Sequence, residues 1–381
     1  MATITYLTTI QFDFGASRLL ADELARVGIK RPLFVTDPGL VKNGLFERVR
    51  AHLPAGHPAN TPAGPVYAET PANPTERAVL AALAQYRAEG CDGLVAVGGG
   101  SPIDLAKAVA VLASHDGPLE QYAAIKGGVA RITPKVAPVI AVPTTAGTGS
   151  EVGRGSMVIL ESGRKLALLS PNLLPKSAIC DPELTFDMPP GLTAATGMDA
   201  FAHCLETYLS PAINPPAEAI ALDGLARVGR WIEVAVAEPR HREARWNMMM
   251  ASMMGAMAFQ KGLGAIHAMS HPLGQIPSLN LHHGTLNAVV APTVIRFNAP
   301  HVGDKYQTVK RQLGLLPGTD LAKAVADLNR RLGLPAGLKA MGVTEAMLPA
   351  AAADAVTDHC NASNPVKGTE ADYLRLMREA M

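Results

Sequence analysis

The stretch Gly93-Leu-Val-Ala-Val-Gly-Gly-Gly-Ser-Pro-Ile-Asp-Leu-Ala-Lys107 decides the fold of the first half of the chain. Its first five residues predict a buried strand, and a helix is predicted from Pro102 to Ala113. The glycines between them let a ligand approach the backbone, and the start of a helix attracts phosphate. The pattern fits neither G-x-G-x-x-G nor G-x-x-x-x-G-K-[ST]. It predicts a pyrophosphate cradle, or an ordinary turn in which Ser101 caps the helix, and the two are compatible.

Strands and helices alternate on both sides of this stretch, which is typical of a parallel sheet covered by helices on both faces. From Gly191 onward the sequence predicts helices, and three prolines between Pro182 and Pro190 mark a boundary. We therefore predict an α/β domain over 1–188 and an all-α domain over 189–381. The predicted strands are 32–36, 66–68, 93–97 and 139–142, and the predicted helices are 41–53, 75–90, 102–113, 194–209, 217–237, 242–262, 289–298, 321–332 and 370–380.

A second polar loop, Pro143-Thr-Thr-Ala-Gly-Thr-Gly-Ser-Glu-Val152, follows the strand 139–142. Open α/β sheets bind ligands at this edge, so the hydroxyls and glycines are suited to hold a nicotinamide and a phosphate; an ordinary surface loop is the alternative. Asp37 ends the strand 32–36 and is suited to accept hydrogen bonds from an adenosine ribose, which would favour NAD over NADP. Asp37-Pro38 is equally suited to begin a helix, and the sequence does not separate the two roles.

Four residues of the second half can supply one carboxylate oxygen and three imidazole nitrogens to a single divalent metal. Asp199-Ala-Phe-Ala-His203 places its acid and its histidine on one helix face. Gly264-Ala-Ile-His-Ala-Met-Ser-His-Pro-Leu-Gly274 does the same for His267 and His271, and Leu281-His-His-Gly284 adds His282 and His283. A single histidine is more often a core or rim residue, but five of the 11 histidines fall in these short segments. Oxygen and nitrogen ligands suit Fe²⁺, Zn²⁺, Mn²⁺ or Co²⁺.

Composition limits the other classes of function. The 381 residues are 48% hydrophobic and carry a net charge of +1 without a dense basic run, which argues against nucleic-acid binding and favours a small-molecule partner. The four cysteines lack CxxC spacing, which fits a reducing cytoplasm. The N-terminal residues 1–7 do not have the pattern of a signal peptide, and no apolar helix is long enough to span a bilayer.

These motifs together resemble the iron-containing (group III) alcohol dehydrogenase family. The resemblance covers nearly the whole chain and includes Leu174-Pro-Lys176, Thr193-Ala-Ala-Thr-Gly-Met-Asp199 and Asn364-Pro365. It implies a dehydroquinate synthase-like architecture, with an N-terminal nucleotide-binding domain, a C-terminal helical metal-binding domain and an active site in the cleft between them. It also implies Fe²⁺ and NAD as cofactors and assembly into a homodimer or a larger homo-oligomer.

The resemblance also assigns roles to individual residues. It makes Asp199, His203, His267 and His283 the metal ligands, and it places His271 near the nicotinamide. Either His271 or a cofactor ribose hydroxyl with water is the candidate proton relay. The positions that match cofactor contacts are Asp37, Gly99, Gly100, Ser101, Thr144, Thr145 and Thr148.

The chain departs from the common family pattern at three places. His282-His283 stands where a proline usually precedes the histidine, in a segment that is slightly longer than usual. Arg154 and Lys261 lie close to the motifs in sequence, and they are either substrate contacts for an acidic molecule or solvated rim charges.

The predicted function is an NAD-dependent and metal-dependent oxidoreductase that interconverts a primary alcohol and its aldehyde, with an ω-hydroxy acid and its semialdehyde as the preferred pair. The bound metal would make the alcohol more acidic and would polarise the aldehyde. One alternative is a maleylacetate reductase-like enzyme, whose relatives can lack the full ligand set. Another is a metal-binding and nucleotide-binding protein without catalysis.

Overall fold

The computed structural model describes residues 8–276 and 278–381, so the prediction about a leader in residues 1–7 lies outside the described residues. The chain forms two compact units. One comprises the described residues up to 145 together with Gly149–Thr185, and the other comprises Phe186–Met381 with the short segment Ala146–Thr148.

The first unit is built on a six-stranded sheet in which every pair of neighbouring strands is parallel. This confirms the predicted α/β fold class. Its strands and helices are β1 (Thr9–Phe12), α1 (Leu20–Val27), β2 (Pro32–Val35), α2 (Pro38–Lys42), α3 (Leu45–Arg50), β3 (Val66–Tyr67), α4 (Glu76–Ala88), β4 (Gly93–Gly98), α5 (Gly100–Leu112), β5 (Val139–Pro143), β6 (Gly155–Ile159), β7 (Lys165–Leu169) and β8 (Ser177–Cys180). Across the sheet the strands follow the order β1-β8-β5-β4-β2-β3.

Strands β4 and β5 lie in the middle of the sheet and are buried along their whole length. Successive residues of a strand point to opposite faces, so each face of the sheet has its own core. Val79 of α4 and Leu105 of α5 belong to one core, and Leu20 of α1 and Phe46 of α3 belong to the other. The loops that follow the central strands are thereby fixed at one edge of a rigid layer.

Two features of this unit differ from the sequence prediction. The helix predicted over 41–53 is two helices, because Gly44 between them has a φ of +78°, which an α-helix does not accommodate. Strands β1 and β8, and the antiparallel pair β6 and β7, were not predicted. Each is only four or five residues long, too short for a clear hydrophobic period.

The second unit is helical, as predicted, and is organised around a long helix that is buried for most of its length. This helix, α6, packs against α7, α8 and α10. Pro272 lies one residue before the end of α9, where a proline, which has no backbone N–H, limits the helix. The helices are α6 (Pro190–Leu209), α7 (Pro215–Ala237), α8 (Arg242–Ala258), α9 (Ala265–Leu273), α10 (His283–Asn298), α11 (Lys305–Gln312), α12 (Leu321–Arg331), α13 (Leu348–Thr357) and α14 (Glu370–Glu379).

Among the residues that the structure describes, none of the helices combines the length and the apolar character needed to cross a bilayer.

Candidate metal centre and nucleotide loops

Helix α6 contributes the first two candidate ligands. Asp199 and His203 are 2% and 5% exposed, and Oδ1 of Asp199 lies 3.7 Å from Nε2 of His203. They are one helical turn apart, so both side chains leave the same face of α6. The imidazole of His203 also stacks on that of His267, with ring centroids 4.7 Å apart.

The two remaining histidines come from the middle of α9 and from the start of α10. Nε2 of His267 and Nε2 of His283 lie 3.8 Å and 3.7 Å from Oδ1 of Asp199. Donor atoms of Asp199, His267 and His283 all lie within 4.8 Å of one another. His203 therefore approaches this group of three through its contacts with Asp199 and His267.

The neighbouring His282 caps α10 and is not one of this group of donors. It is the residue before the first turn of α10, and its Nδ1 accepts a hydrogen bond from the backbone N–H of Thr285 at 3.4 Å. The structure thus places His283, and not His282, beside Asp199.

The arrangement of these donors fits a divalent cation. The three imidazole nitrogens lie 3.7 to 3.8 Å from the carboxylate oxygen, which is longer than a hydrogen bond. An ion bound tetrahedrally at about 2.1 Å holds its ligand atoms about 3.4 Å apart. Burial raises the pKa of the Asp199 carboxyl, but His203, His267 and His283 lower it by more, so the group is ionised and able to bind a metal.

Glu206 fixes the orientation of His267. Nδ1 of His267 donates to Oε2 of Glu206 at 2.5 Å, and Oε1 of Glu206 accepts the backbone N–H of Ile266 at 2.6 Å. Burial lowers the pKa of His267, but the carboxylates of Glu206 and Asp199 raise it by more, to about 9. The two acids therefore stabilise the protonated ring. Because Glu206 holds Nδ1–H, Nε2 is the nitrogen that faces Asp199, and a metal binding there would displace its proton.

Asn287 joins three of the candidate ligands. Its Nδ2 donates to Oδ1 of Asp199 at 2.7 Å and lies 3.3 Å from Nε2 of His267 and 3.2 Å from Nε2 of His283. Asn287 is fully buried. It is one helical turn after His283, so α10 supplies both residues from the same face.

Gly284 lets α10 come close to α6. A Cβ atom at this position would lie 2.3 Å from the carbonyl oxygen of Ala195, a distance that no side chain tolerates. The contact brings the start of α10, and with it His283, to the face of α6 that carries Asp199.

His271 lies next to this group and is held by an acid. Its Nδ1 donates to Oδ2 of Asp358 at 2.9 Å, and its ring stacks on that of His283 with centroids 5.4 Å apart. In the neutral imidazole this bond leaves Nε2 as the proton acceptor. The arrangement suits a group that receives a proton beside the candidate metal ligands.

Six of the seven predicted cofactor residues lie in the α/β unit and follow three neighbouring strands of the sheet; Thr148 lies in the short segment that belongs to the helical unit. Asp37 comes after β2, Gly99 begins the turn after β4, and Thr144 follows β5. The backbone N–H of Thr144 donates to the carbonyl of Gly98 at 3.0 Å, which joins the loop after β5 to the loop after β4. The carboxyl ends of parallel strands meet at one edge of a sheet, so these loops form a common surface.

Glycine is required in the turn after β4. At Gly98, φ is +156° and a Cβ atom would lie 2.5 Å from Cγ of Pro102. At Gly99 a Cβ atom would lie 3.2 Å from Oγ1 of Thr145 and would fill the space between the two loops. Helix α5 begins directly afterwards at Gly100, so its free N–H groups face a groove that is clear of side chains at these positions.

Two of the predicted cofactor residues have hydrogen bonds within the fold. Oδ1 of Asp37 accepts the backbone N–H of Leu40 at 3.0 Å, as expected of the residue that caps α2. The hydroxyl of Ser101 donates to the carbonyl of Ala72 at 2.5 Å. The helix-capping role of Asp37 is therefore present in the structure, and its role at a ribose stays a prediction.

Lys107 anchors the loop that follows β5. It is fully buried, and its Nζ donates to the carbonyl oxygens of Ser150, Gly153 and Gly155 at 2.6, 2.8 and 2.8 Å. Asp104, one turn earlier on α5, accepts from the hydroxyl of Ser150 at 2.5 Å. Asp104 and Lys107 thus hold the loop that follows β5 against α5.

The two residues predicted to meet an acidic substrate are in different surroundings. Arg154 is exposed just before β6. Nζ of Lys261 is buried and donates to the carbonyls of Thr207, Tyr208 and Ser210 at 3.0, 3.3 and 2.7 Å, and it also pairs with Glu218 at 2.9 Å. An ammonium has three donors, so Lys261 has none left for a ligand, and this argues against the predicted substrate contact.

Sequence reasoning missed three residues of the metal centre: Glu206, Asn287 and Asp358. The sequence spacing could have indicated the first two. Glu206 is three residues after His203 and Asn287 is four residues after His283, so each lies on the same helix face as a candidate metal ligand. Asp358 is 87 residues from His271 and follows α13, so no spacing rule reaches it.

Comparison with known families gives two adjoining matches. The model described as "Iron-containing alcohol dehydrogenase" matches residues 8–182. The model described as "Fe-containing alcohol dehydrogenase family, C-terminal" matches residues 193–381. Together they span nearly the whole chain.

Individual relatives are similar over their full length. The chain is 57% identical to a 4-hydroxybutyrate dehydrogenase of Cupriavidus necator, with 100% of both chains covered. It superposes on a crystal structure of 1,3-propanediol oxidoreductase with a TM-score of 0.91, 33% identity and 100% of both chains covered. It also superposes on the sulfoacetaldehyde reductase of Bifidobacterium kashiwanohense in complex with NAD⁺, with a TM-score of 0.87, 29% identity, and 100% and 98% of the two chains covered.

Proposed function

The chain belongs to the iron-containing alcohol dehydrogenase family and is an oxidoreductase acting on alcohols and aldehydes, and from that premise we propose that it interconverts an ω-hydroxy acid and its semialdehyde with NAD and a divalent metal. The observation that carries the choice of substrate is the 57% identity, over the full length of both chains, to a 4-hydroxybutyrate dehydrogenase. A primary alcohol at one end and a carboxylate at the other define this substrate class.

The proposed metal is Fe²⁺, held by Asp199, His203, His267 and His283. One carboxylate and three imidazoles suit Fe²⁺, and they suit Zn²⁺ at least as well, since affinity for comparable sites rises from iron to zinc. When bound, the metal acts as a Lewis acid on the alcohol or aldehyde oxygen, and the nicotinamide carries the hydride.

The residues around the ligands keep this set ready for binding. Glu206 holds the ring of His267 so that Nε2 is free, and Asn287 holds the carboxylate of Asp199. Such partners orient metal ligands and raise their affinity. Asp199 and His267 are buried, whereas the side chain of His283 is 29% exposed, so solvent reaches the set on the side of His283.

His271 is the proposed proton acceptor. Asp358 accepts its Nδ1–H at 2.9 Å, which sets the tautomer and leaves Nε2 with a free lone pair. When the alcohol is oxidised, Nε2 takes up the hydroxyl proton, and in the reverse direction it returns the proton to the oxygen. Asp358 stabilises the imidazolium that forms in between.

We place the dinucleotide on the loops after β2, β4 and β5. Its pyrophosphate would lie at the start of α5 over Gly99, Gly100 and Ser101, and Thr144, Thr145 and Thr148 would contact the nicotinamide half. The second oxygen of the Asp37 carboxylate is available to the adenosine ribose and disfavours a 2′-phosphate, which supports NAD.

We also propose that the enzyme works in the cytoplasm as a homodimer or a larger homo-oligomer. All four cysteines are free, which fits a reducing compartment.

The substrate class is tested by comparing 4-hydroxybutyrate with 1,4-butanediol, which has the same chain length and no carboxylate. NAD⁺ reduction is followed by absorbance with metal-loaded protein, and kcat/KM is measured for both. We expect a higher kcat/KM for the hydroxy acid, with the difference mainly in KM. An equal or higher kcat/KM for the diol would leave a general alcohol dehydrogenase.

A further inference from the structure

A second group of metal-binding side chains lies beside His271 in the helical unit. Asp358, His359 and Cys360 follow one another directly after α13, and together with His271 each offers one donor atom within 4.8 Å of the others. Oδ2 of Asp358 is 2.9 Å from Nδ1 of His271, and Oδ1 is 3.6 Å from Nδ1 of His359. Sγ of Cys360 is 3.5 Å from Nε2 of His359.

We propose that His271, Asp358, His359 and Cys360 form a second divalent metal site, one that selects Zn²⁺ or Cd²⁺ over Fe²⁺ and inhibits the enzyme when it is filled. The donor set differs from the first in one respect that decides its selectivity, namely the sulfur of Cys360. Thiolate and imidazole ligands together favour zinc and softer ions, whereas an oxygen and nitrogen set accepts iron.

The donors are already held close to the positions that a metal requires. The backbone N–H of Cys360 donates to Oδ1 of Asp358 at 2.8 Å, which fixes the turn that carries all three consecutive donors. The rings of His271 and His359 stack with centroids 5.7 Å apart and an angle of 19° between their planes. The four donor atoms lie within 4.8 Å of one another, compared with about 3.5 Å between the ligand atoms of a tetrahedral zinc site.

The site is closed on one side and open on the other. Cys360 is 1% exposed, and the side chain of Asp358 is 15% exposed, whereas that of His359 is 44% exposed and provides the entry. Burial raises the pKa of the Cys360 thiol, so the ion must displace the thiol proton, which passes to solvent as the sulfur–metal bond forms. Binding therefore releases one proton per ion without any change in oxidation state.

Filling this site would remove His271 from the reaction. The ring nitrogen that faces Asp358 would be bound to the ion, and the ring would be fixed in its stack on His283. The inhibition rests on the function proposed above for His271, but the binding of the ion does not. An experiment can therefore refute the inhibition without refuting the metal site, and the reverse.

The test uses Cd²⁺ as the probe, because cadmium bound to a thiolate absorbs in the ultraviolet and the first site contains no sulfur. We expect the metal-free full-length protein to bind two Cd²⁺ ions per chain and to show the thiolate–cadmium band. Cys360→Ser should abolish the band and retain one ion. His359→Ala, a change at a half-exposed position that folding tolerates, should weaken the second ion about tenfold or more.

Cys91→Ser is the matched control, since Cys91 is a half-buried thiol in the other unit. It should leave the band unchanged. One ion per chain, or a band that persists in Cys360→Ser, would overturn the site. Excess Zn²⁺ added to enzyme whose first site already holds Zn²⁺ should inhibit the wild type and spare Cys360→Ser. Equal inhibition of both would refute the inhibitory role.

Discussion

The side-chain amide of Asn287 donates to Oδ1 of Asp199 at 2.7 Å, inside the group of candidate metal ligands. The same Nδ2 lies 3.2 to 3.3 Å from the facing nitrogens of His283 and His267. One fully buried amide thus links α6, α9 and α10 at the point where their ligands meet. We infer that Asn287 positions the carboxylate for the metal.

Asn287→Ala should therefore weaken metal retention. Loss of a residue that orients a ligand typically lowers metal affinity about 10- to 100-fold. The measurement is metal content per chain after dialysis against a graded chelator. Asn329→Ala is a suitable control, because Asn329 is a buried asparagine of the same unit that donates to the carbonyl of Ala288. Equal metal loss in both variants would mean that Asn287 acts only through general stability.

Glu206→Gln should also lower metal affinity, for a different reason. The neutral amide of the variant cannot provide the negative charge that holds the Nδ1–H of His267 and makes Nε2 a stronger donor, so we expect a loss of about 10- to 100-fold. Competition with a coloured chelator measures it directly. Glu218→Gln, which removes the partner of Lys261 on the same unit, should leave the affinity unchanged. Unchanged affinity in Glu206→Gln would contradict the assigned role.

Asp37→Gly should relax the preference for NAD over NADP. Glycine is tolerated as a helix cap at a cost of a few tenths of a kcal/mol, so α2 should persist while the repulsion of a 2′-phosphate is lost. The readout is the ratio of kcat/KM for the two cofactors. Asp320→Gly changes an equivalent cap, that of α12, and should leave the ratio as it is. If NADP use does not improve in Asp37→Gly, Asp37 is a helix cap alone.

Glu151 should make the stability of the protein depend on pH. Burial raises the pKa of this carboxyl to about 7, although Lys107 partly offsets the effect. The folded state then binds more protons than the unfolded state between about pH 4.5 and 7, so stability falls as the pH rises through that window, by about 3 kcal/mol in total. Glu151→Gln should remove this contribution. Melting temperatures of both proteins at pH 5 and pH 8 test it, and an equal loss in both would exclude Glu151 as the cause.

The sequence was sufficient for the fold class and for those site residues that share one helix. Asp199 and His203 are one turn apart, and the strand-turn-helix from Gly93 to Lys107 has a clear pattern. Both features depend only on the spacing of residues that are close together in the sequence. The short strands β1 and β8 were missed, because β1 pairs only with β8, more than 160 residues away, and β8 is held between β1 and β5 by pairing that leaves no local pattern.

The rest of the site depends on how α9 and α10 pack on α6. The choice of His283 over His282 follows from the residue at which α10 begins, since His282 caps the helix and His283 is its first residue. The surroundings of Lys261 follow from the C-terminal carbonyls of α6, more than 50 residues earlier in the chain. Neither fact could be predicted from neighbouring residues in the sequence, because both depend on contacts between distant segments.

The most direct test of the proposed function is NADH oxidation by metal-free protein reloaded anaerobically with Fe²⁺ or Zn²⁺, with succinic semialdehyde and butanal as substrates. His267→Ala, which should lose metal retention and turnover together, serves as the control. We predict metal-dependent turnover that favours the semialdehyde. Turnover that persists in the metal-free protein or in His267→Ala would contradict the metal site, and no turnover with either metal would contradict the proposed reaction.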